Sequence, residues 1–187
     1  STPDFRAIPI AASLDSSYLA DRTRHIWIPA NSFIATGEGA PDLAARGATT
    51  YQAVPGWALD GTADESVTTD LLMPQDWSTL AGITGTYYWA ASDATAGNVH
   101  FQLLIGSLLP GTDLLDEAIQ SQKDDIYATQ TTAKRVIASV SGSAFTPVAL
   151  TDLLRVVVRR NSTDAADTYN GLDAWFLGLK LQYTGDS

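Results

Sequence analysis

The sequence contains no cysteine. This excludes a disulfide framework, a zinc ribbon, a thiol nucleophile and a thiolate-held iron–sulfur cluster. Histidine is almost as scarce: there are two, His25 and His100, and neither sits in the H-E-x-x-H pattern of a zinc peptidase. No phosphate-binding P-loop and no G-x-S-x-G nucleophile elbow is present. Positive charge is short as well. The 11 Lys and Arg oppose 21 Asp and Glu, leaving a net charge of −10. Nucleic-acid affinity comes largely from cations neutralising phosphates, so direct nucleic-acid binding is not expected. No apolar run approaches the roughly 20 residues that cross a bilayer, so membrane insertion is not expected either. The opening Ser1-Thr2-Pro3-Asp4-Phe5-Arg6 lacks the basic-then-apolar pattern of a secretory signal, and none is expected there. Lys and Glu, the usual filling of exposed helices, number only three each. Asp, which favours turns, numbers 18.

What is there points to strands. At 187 residues with 45% apolar content, the chain suffices for one large domain with its own core. Residues 1–24 show no sustained period and are expected to form an N-terminal arm. Residues 25–187 are expected to form one domain. Strand-like segments run at His25–Ile28, Thr50–Asp60, Glu65–Met73 and Ile83–Ala91. Thr36–Gly47, with three glycines and Pro41, reads as a long loop. Val99, Phe101, Leu103 and Ile105 alternate with Asn98, His100, Gln102 and Leu104, which is the period of a half-buried strand. A further strand is expected around Lys134–Val140. Leu154, Val156 and Val158 alternate with Arg155, Val157 and Arg159. Trp175, Leu177, Leu179, Leu181 and Tyr183 mark a long last strand, expected to pair with Leu153–Arg160. About eight strands with Gly, Pro and Asp turns predict an all-β antiparallel sandwich or jelly roll. One short helix or helical turn is expected around 112–122.

Residues able to carry chemistry are mostly explained by structure. His100 falls on the polar side of its strand and reads as a surface histidine. Gly37-Glu38-Gly39 lacks the rest of a dinucleotide fingerprint and reads as a loop. Acidic groups cluster at Asp60/Asp64/Glu65, Asp113/Asp116/Glu117 and Asp164/Asp167/Asp173. Turn chemistry accounts for them, with calcium in one of them as the alternative. Asn161-Ser162-Thr163 matches a glycosylation sequon and reads as a polar turn. No cofactor, no metal and no catalytic residue is indicated, so the chain is not expected to be an enzyme. Of the five tryptophans, most fall within strand patterns and read as core or interface. Trp77, at the Pro74-Gln75-Asp76-Trp77 corner, is the candidate for exposure. With Tyr87 it is the candidate contact for a carbohydrate or partner. Arg155, Val157, Arg159 and Trp175 are candidates for a subunit interface.

The order of these segments carries a resemblance. Ile26-Trp27-Ile28-Pro29-Ala30 precedes a Gly/Pro loop. Trp57-Ala58-Leu59-Asp60 and the Pro74–Trp77 corner follow. Arg155–Arg160, then Asp164, Asp167, Thr168 and Tyr169, lead into the Ala174–Tyr183 finish. Over residues 25–184 this resembles small jelly-roll virion proteins of tailed bacteriophages and phage-like particles, of the head-decoration, head-fibre or tail-fibre type. These are similar to tumour-necrosis-factor-like trimers. The resemblance implies a homotrimer on the exterior of a virion, decorating the capsid and acting by binding rather than catalysis. The implied partner is a major capsid protein or another virion protein, with Phe5, Ile8 and Ile10 of the arm as the candidate anchor. The alternative is a receptor-binding or carbohydrate-binding tip that contacts a host-surface glycan.

Overall fold

The computed structural model describes residues 22–36, 41–46, 54–78, 82–108, 121–141 and 153–185. Eleven strands lie among the described residues, with one 3-10 turn, Ala30–Ser32, after the first strand. The strands are β1 (Arg22–Pro29), β2 (Ile34–Thr36), β3 (Asp42–Arg46), β4 (Val54–Leu59), β5 (Glu65–Leu72) and β6 (Thr84–Ala91), then β7 (Asn98–Leu108), β8 (Ser121–Ala128), β9 (Ile137–Val140), β10 (Leu153–Arg160) and β11 (Ala174–Gly185). They form two antiparallel sheets packed as a jelly-roll β-sandwich. The six-stranded sheet runs β3-β4-β11-β6-β9, and β1 also pairs with β11. The five-stranded sheet runs β2-β5-β10-β7-β8.

The period of two in the sequence sets which side chains meet between the sheets. From the five-stranded sheet come Val67, Phe101, Leu103, Leu154, Val156 and Val158, all fully buried. From the six-stranded sheet come Leu59, Tyr87, Trp89, Phe176, Leu179 and Leu181. Tyr87 stacks on Phe101 across the gap at 5.2 Å between ring centroids, and Trp89 meets the same ring edge-on at 5.4 Å. The last inward position of β10 is Arg160, and it is completely buried.

β11 serves as the spine of its sheet. Its first residues pair with β4 and its later ones with β1, while β6 runs along the other edge. The register slips between Phe176 and Gly178, a bulge that lets one strand serve these neighbours. Gly178 has φ +154, and a Cβ there would lie 2.5 Å from the Trp27 indole and 2.8 Å from the Ile28 carbonyl. Only glycine fits beneath Trp27.

Four expectations are corrected here. The last strand does not pair with β10, because the 161–173 connection carries the chain from the five-stranded sheet to the six-stranded one. The expected loop over Thr36–Gly47 contains β3, which pairs with β4 from Asp42↔Ala58 to Arg46↔Val54. The first strand begins at Arg22, so residues 22–24 of the expected arm belong to β1. Ser121 and Gln122, at the end of the expected helix, belong to β8; the rest of that helix lies outside the described residues, as do Phe5, Ile8 and Ile10.

Candidate functional site

The two outer faces differ in chemistry. On the five-stranded sheet, register places one polar side chain from every strand in a single row. Thr36 of β2 stands beside Ser66 of β5, then Arg159 of β10, Gln102 of β7 and Asp124 of β8. Cross-strand bonds tie the row together. The Thr36 and Ser66 hydroxyls lie 3.2 Å apart, and Gln102 Nε2 donates to Asp124 Oδ1 at 2.6 Å. Arg159 is paired with Asp64 at the sheet end. Four residues away along β10, Arg155 grips Asp70 through two bonds of 2.9 Å.

His100 adjoins this row. Its Nε2 lies 3.2 Å from Asp124 Oδ1, and its Nδ1 lies 3.6 Å from Asp164 Oδ1. The reading of a surface histidine is corrected: parity puts the ring on the outer side, yet only 5% of the residue is exposed. Neither His100 Nδ1 nor Gln102 Oε1 has a hydrogen-bond partner, and both atoms are buried. Buried polar groups are normally satisfied, and these two atoms, enclosed beneath the face near its β8 edge, are exceptions. Asp124 is held below the usual carboxylate range, first by the Gln102 amide, with bonds from Gln122 and His100 adding to it. Asp64 is also lowered: burial alone would raise it, but bonds from the Thr163 backbone, Arg159 and the Thr163 hydroxyl together outweigh that. Both groups therefore remain ionised acceptors through neutral and mildly acidic pH.

The outer face of the six-stranded sheet carries an apolar, aromatic patch. Trp27 is 52% exposed and meets the half-buried Tyr88 edge-on at 5.1 Å. These two rings, with Pro29, Val54, Val136 and Leu177, line a groove of about 340 Å³. A smaller hollow of about 150 Å³ adjoins it and shares Val54, Val136 and Leu177. Arg46, Lys134 and Trp175 line the hollow.

The candidates read from the sequence are thus redistributed. Trp77 is 1% exposed and forms an isolated bridge with Gly185, so it closes one end of the sandwich instead of facing solvent. Tyr87 is fully buried against Phe101, with its hydroxyl 3.4 Å from Asp125. Neither ring offers a face to a sugar. Arg155, Val157 and Arg159 do share one outer face, but Trp175 lies on the other sheet, beneath two cations. Among the described residues no group of three or more His, Asp and Glu converges on a metal position. Asp60 caps Thr62, Glu65 accepts from the Asp60 amide, and Asp167 binds Arg160. Asp113, Asp116 and Glu117 lie outside the described residues. The sequence pattern does not single out Gln102, Asp124, Trp27 or Tyr88 as site residues. Alternation along β7 already marked Gln102 as outward-facing. The polar sequence of β8 gave no strand signal that could have placed Asp124 beside it.

No family model and no curated protein matches the sequence. Solved structures do match in fold. The xylan-binding domain CBM22-1 of Paenibacillus barcinonensis Xyn10C aligns over 90% of this chain and 99% of its own, with 10% identity and a TM-score of 0.51. The family 11 carbohydrate-binding module from Clostridium thermocellum aligns over 87% and 98%, with 8% identity and a TM-score of 0.48. The CBM36-1 domain of a xylanase from the hindgut metagenome of Trinervitermes trinervoides aligns over 84% and 96%, with 14% identity and a TM-score of 0.45. These neighbours are jelly-roll carbohydrate-binding modules and not virion proteins, and at such identities the likeness is one of fold.

Proposed function

We propose that the chain is a non-catalytic binding domain whose ligand is a glycan, held on the outer face of the five-stranded sheet. The observation that carries this is the polar row of Thr36, Ser66, Arg159, Gln102 and Asp124 across all five strands, with His100 beside it. A sugar hydroxyl both donates and accepts, so it suits a face offering carboxylate, amide and imidazole together. The side chains are already cross-linked by Gln102–Asp124 and Arg155–Asp70, so little rotamer freedom remains to be lost on binding. A jelly roll of similar fold serves as the xylan-binding domain in the Paenibacillus protein, which agrees with this reading.

A glycan array followed by calorimetry with the best oligosaccharide tests it. Saturable one-to-one binding is expected. Gln102→Ala and Asp124→Ala are each expected to weaken it by about 10- to 100-fold, the cost of leaving polar partners unpaired. Circular dichroism checks that both variants stay folded. An array without hits, or affinity untouched by both substitutions, overturns the proposal.

The virion reading stands as a second proposal, and its support is the sequence resemblance together with the exposed Trp27, Val136 and Val140 on the other sheet. Light scattering on the purified chain tests it. A particle of three chains is expected on this reading, and a stable monomer ends it.

A further inference from the structure

The polar face of the five-stranded sheet carries two arginines, Arg155 and Arg159, and both are already engaged. Arginine is the side chain that ordinarily grips a carboxylate, because its planar fork matches the two oxygens. Here that fork is filled from within the sheet. Arg155 Nε and Nη2 hold the two oxygens of Asp70 at 2.9 Å each. Arg159 holds Asp64, which also accepts from the Thr163 amide at 3.1 Å and the Thr163 hydroxyl at 3.0 Å. We propose that these internal pairs make the face selective by charge: it takes uncharged glycans and rejects those that carry carboxylates. The selectivity rests on the glycan reading of this face.

The other charges on the face are negative. Asp124 closes the polar row at the β8 edge, with 53% of its side chain exposed. Its bonding partners are the amides of Gln102 and Gln122 and the His100 ring. Asp164, with 42% of its side chain exposed, lies 3.6 Å from the other nitrogen of that ring and accepts from the Ala166 amide at 2.8 Å. Among the described residues, neither carboxylate meets a lysine or an arginine. The cations that would balance them stand elsewhere. Lys134 lines the hollow on the six-stranded sheet, and Lys180 lies opposite Trp27 in the β1–β11 register. Lys123 pairs in register with Leu103, a core residue, and so has the parity of the inner face. Arg160 is buried on Asp167. Carboxylates therefore outnumber lysines and arginines on the polar face, on a chain whose net charge is −10.

A uronate laid along the row brings its carboxylate against Asp124, with no unengaged cation to receive it. Like charges placed together cost binding energy, and that cost falls on the wrong ligand alone. To recruit either arginine, the ligand must displace a carboxylate fixed to the same domain, which competes from within the molecule. A sugar hydroxyl meets no such penalty, since it can donate to a carboxylate and accept from an amide. Asp70 and Asp64 are thus specificity-determining residues, acting through the arginines they occupy.

Calorimetry on the full chain tests this with hexasaccharide pairs that differ only at C6, where the hydroxymethyl group of one member is a carboxylate in the other. The gluco, galacto and manno series are used, with xylohexaose beside xylohexaose bearing one glucuronate branch. Within each pair that binds, the neutral member is expected to be tighter by about tenfold or more at about 0.1 M salt. The gap is expected to shrink at about 1 M salt, where the screening length falls from about 10 Å to about 3 Å. Asp70→Asn releases Arg155 and is expected to narrow the gap by about tenfold. Asp164→Asn removes one unbalanced charge and is expected to narrow it by about threefold. Asp42→Asn, on the six-stranded sheet, changes the net charge equally and is expected to leave the gap as it is. Asp70 and Asp164 are part-exposed, so circular dichroism is expected to show intact folds for both variants. A uronate that binds as tightly as its neutral partner overturns the selectivity. So does a gap that Asp70→Asn and Asp164→Asn both leave unchanged, or that Asp42→Asn narrows equally. Silence from every probe overturns the glycan reading, and the selectivity falls with it, so the two failures are distinguishable.

Discussion

Arg160→Ala is expected to destabilise the domain by about 3–5 kcal/mol, a large part of the roughly 5–15 kcal/mol that holds a typical domain folded. Arg160 is completely buried, and its five hydrogen bonds match the donor capacity of a guanidinium. Nε and Nη2 grip the two oxygens of Asp167 at 2.9 Å each. Nη1 donates to the Leu59 and Leu172 carbonyls, and Nη2 donates to the Tyr169 carbonyl. One side chain thus ties β10 in one sheet to β4 in the other and to the connection leading into β11. Alanine leaves a buried carboxylate without its counter-ion and three carbonyls without donors. The loss comes mainly from those stranded groups and not from the worth of the pair itself. Arg160→Lys keeps the charge but has three donors for five acceptors, so it is expected to be substantially destabilised too. Urea denaturation of both variants checks this. A cost below about 1 kcal/mol for alanine would show that the buried pair does not hold the sheets together.

Trp89→Ala is expected to cost about 3–5 kcal/mol, whereas Trp27→Ala is expected to cost about 1–2 kcal/mol. Both tryptophans lie in strands of the same sheet, and only burial separates them. Trp89 is fully buried, meets Phe101 edge-on, and donates from Nε1 to Ser139 at 3.1 Å. Its removal opens a cavity between two sheets, each fixed by its own backbone ladder and so unable to collapse into the space. Trp27 packs against Tyr88 from the outside and leaves half its surface in water. Thermal melts of the two variants decide the matter. Equal losses would mean that the apolar groove is part of the stabilising core and not of the exposed surface.

Much of the sandwich was legible because a strand writes its two faces into alternate residues. Along β7 the pattern assigns Phe101, Leu103 and Ile105 inward and His100 and Gln102 outward, and each is found so. Along β10 the same parity points Arg160 inward with Leu154, Val156 and Val158. A charge at an apolar position is an announcement of a buried ion pair, though the sequence does not say with whom. Asp167, seven residues on, was near enough to consider, but Leu59 and Tyr169 supply only carbonyls, which every residue has. The strands with little alternation were the ones missed. β3, Asp42–Arg46, lies in a glycine-rich stretch, and β8, Ser121–Ala128, is polar throughout most of its length. Their pairing comes from neighbours that present free backbone edges.

The sequence by itself determined the fold class and the side of the strand on which most side chains fall. Its lack of cysteine, of an H-E-x-x-H pattern and of a nucleophile elbow set binding ahead of catalysis as the expectation. Only the tertiary structure decided what each side faces. It buried Trp77 at the end of the sandwich and left Trp27 in water. It separated Trp175 from Arg155 by placing β11 and β10 in different sheets, and it set Gln102 beside Asp124. The reason is that alternation is a local property of one strand. Which strands lie alongside, and what covers each face, depend on long-range pairing that no short window of residues encodes.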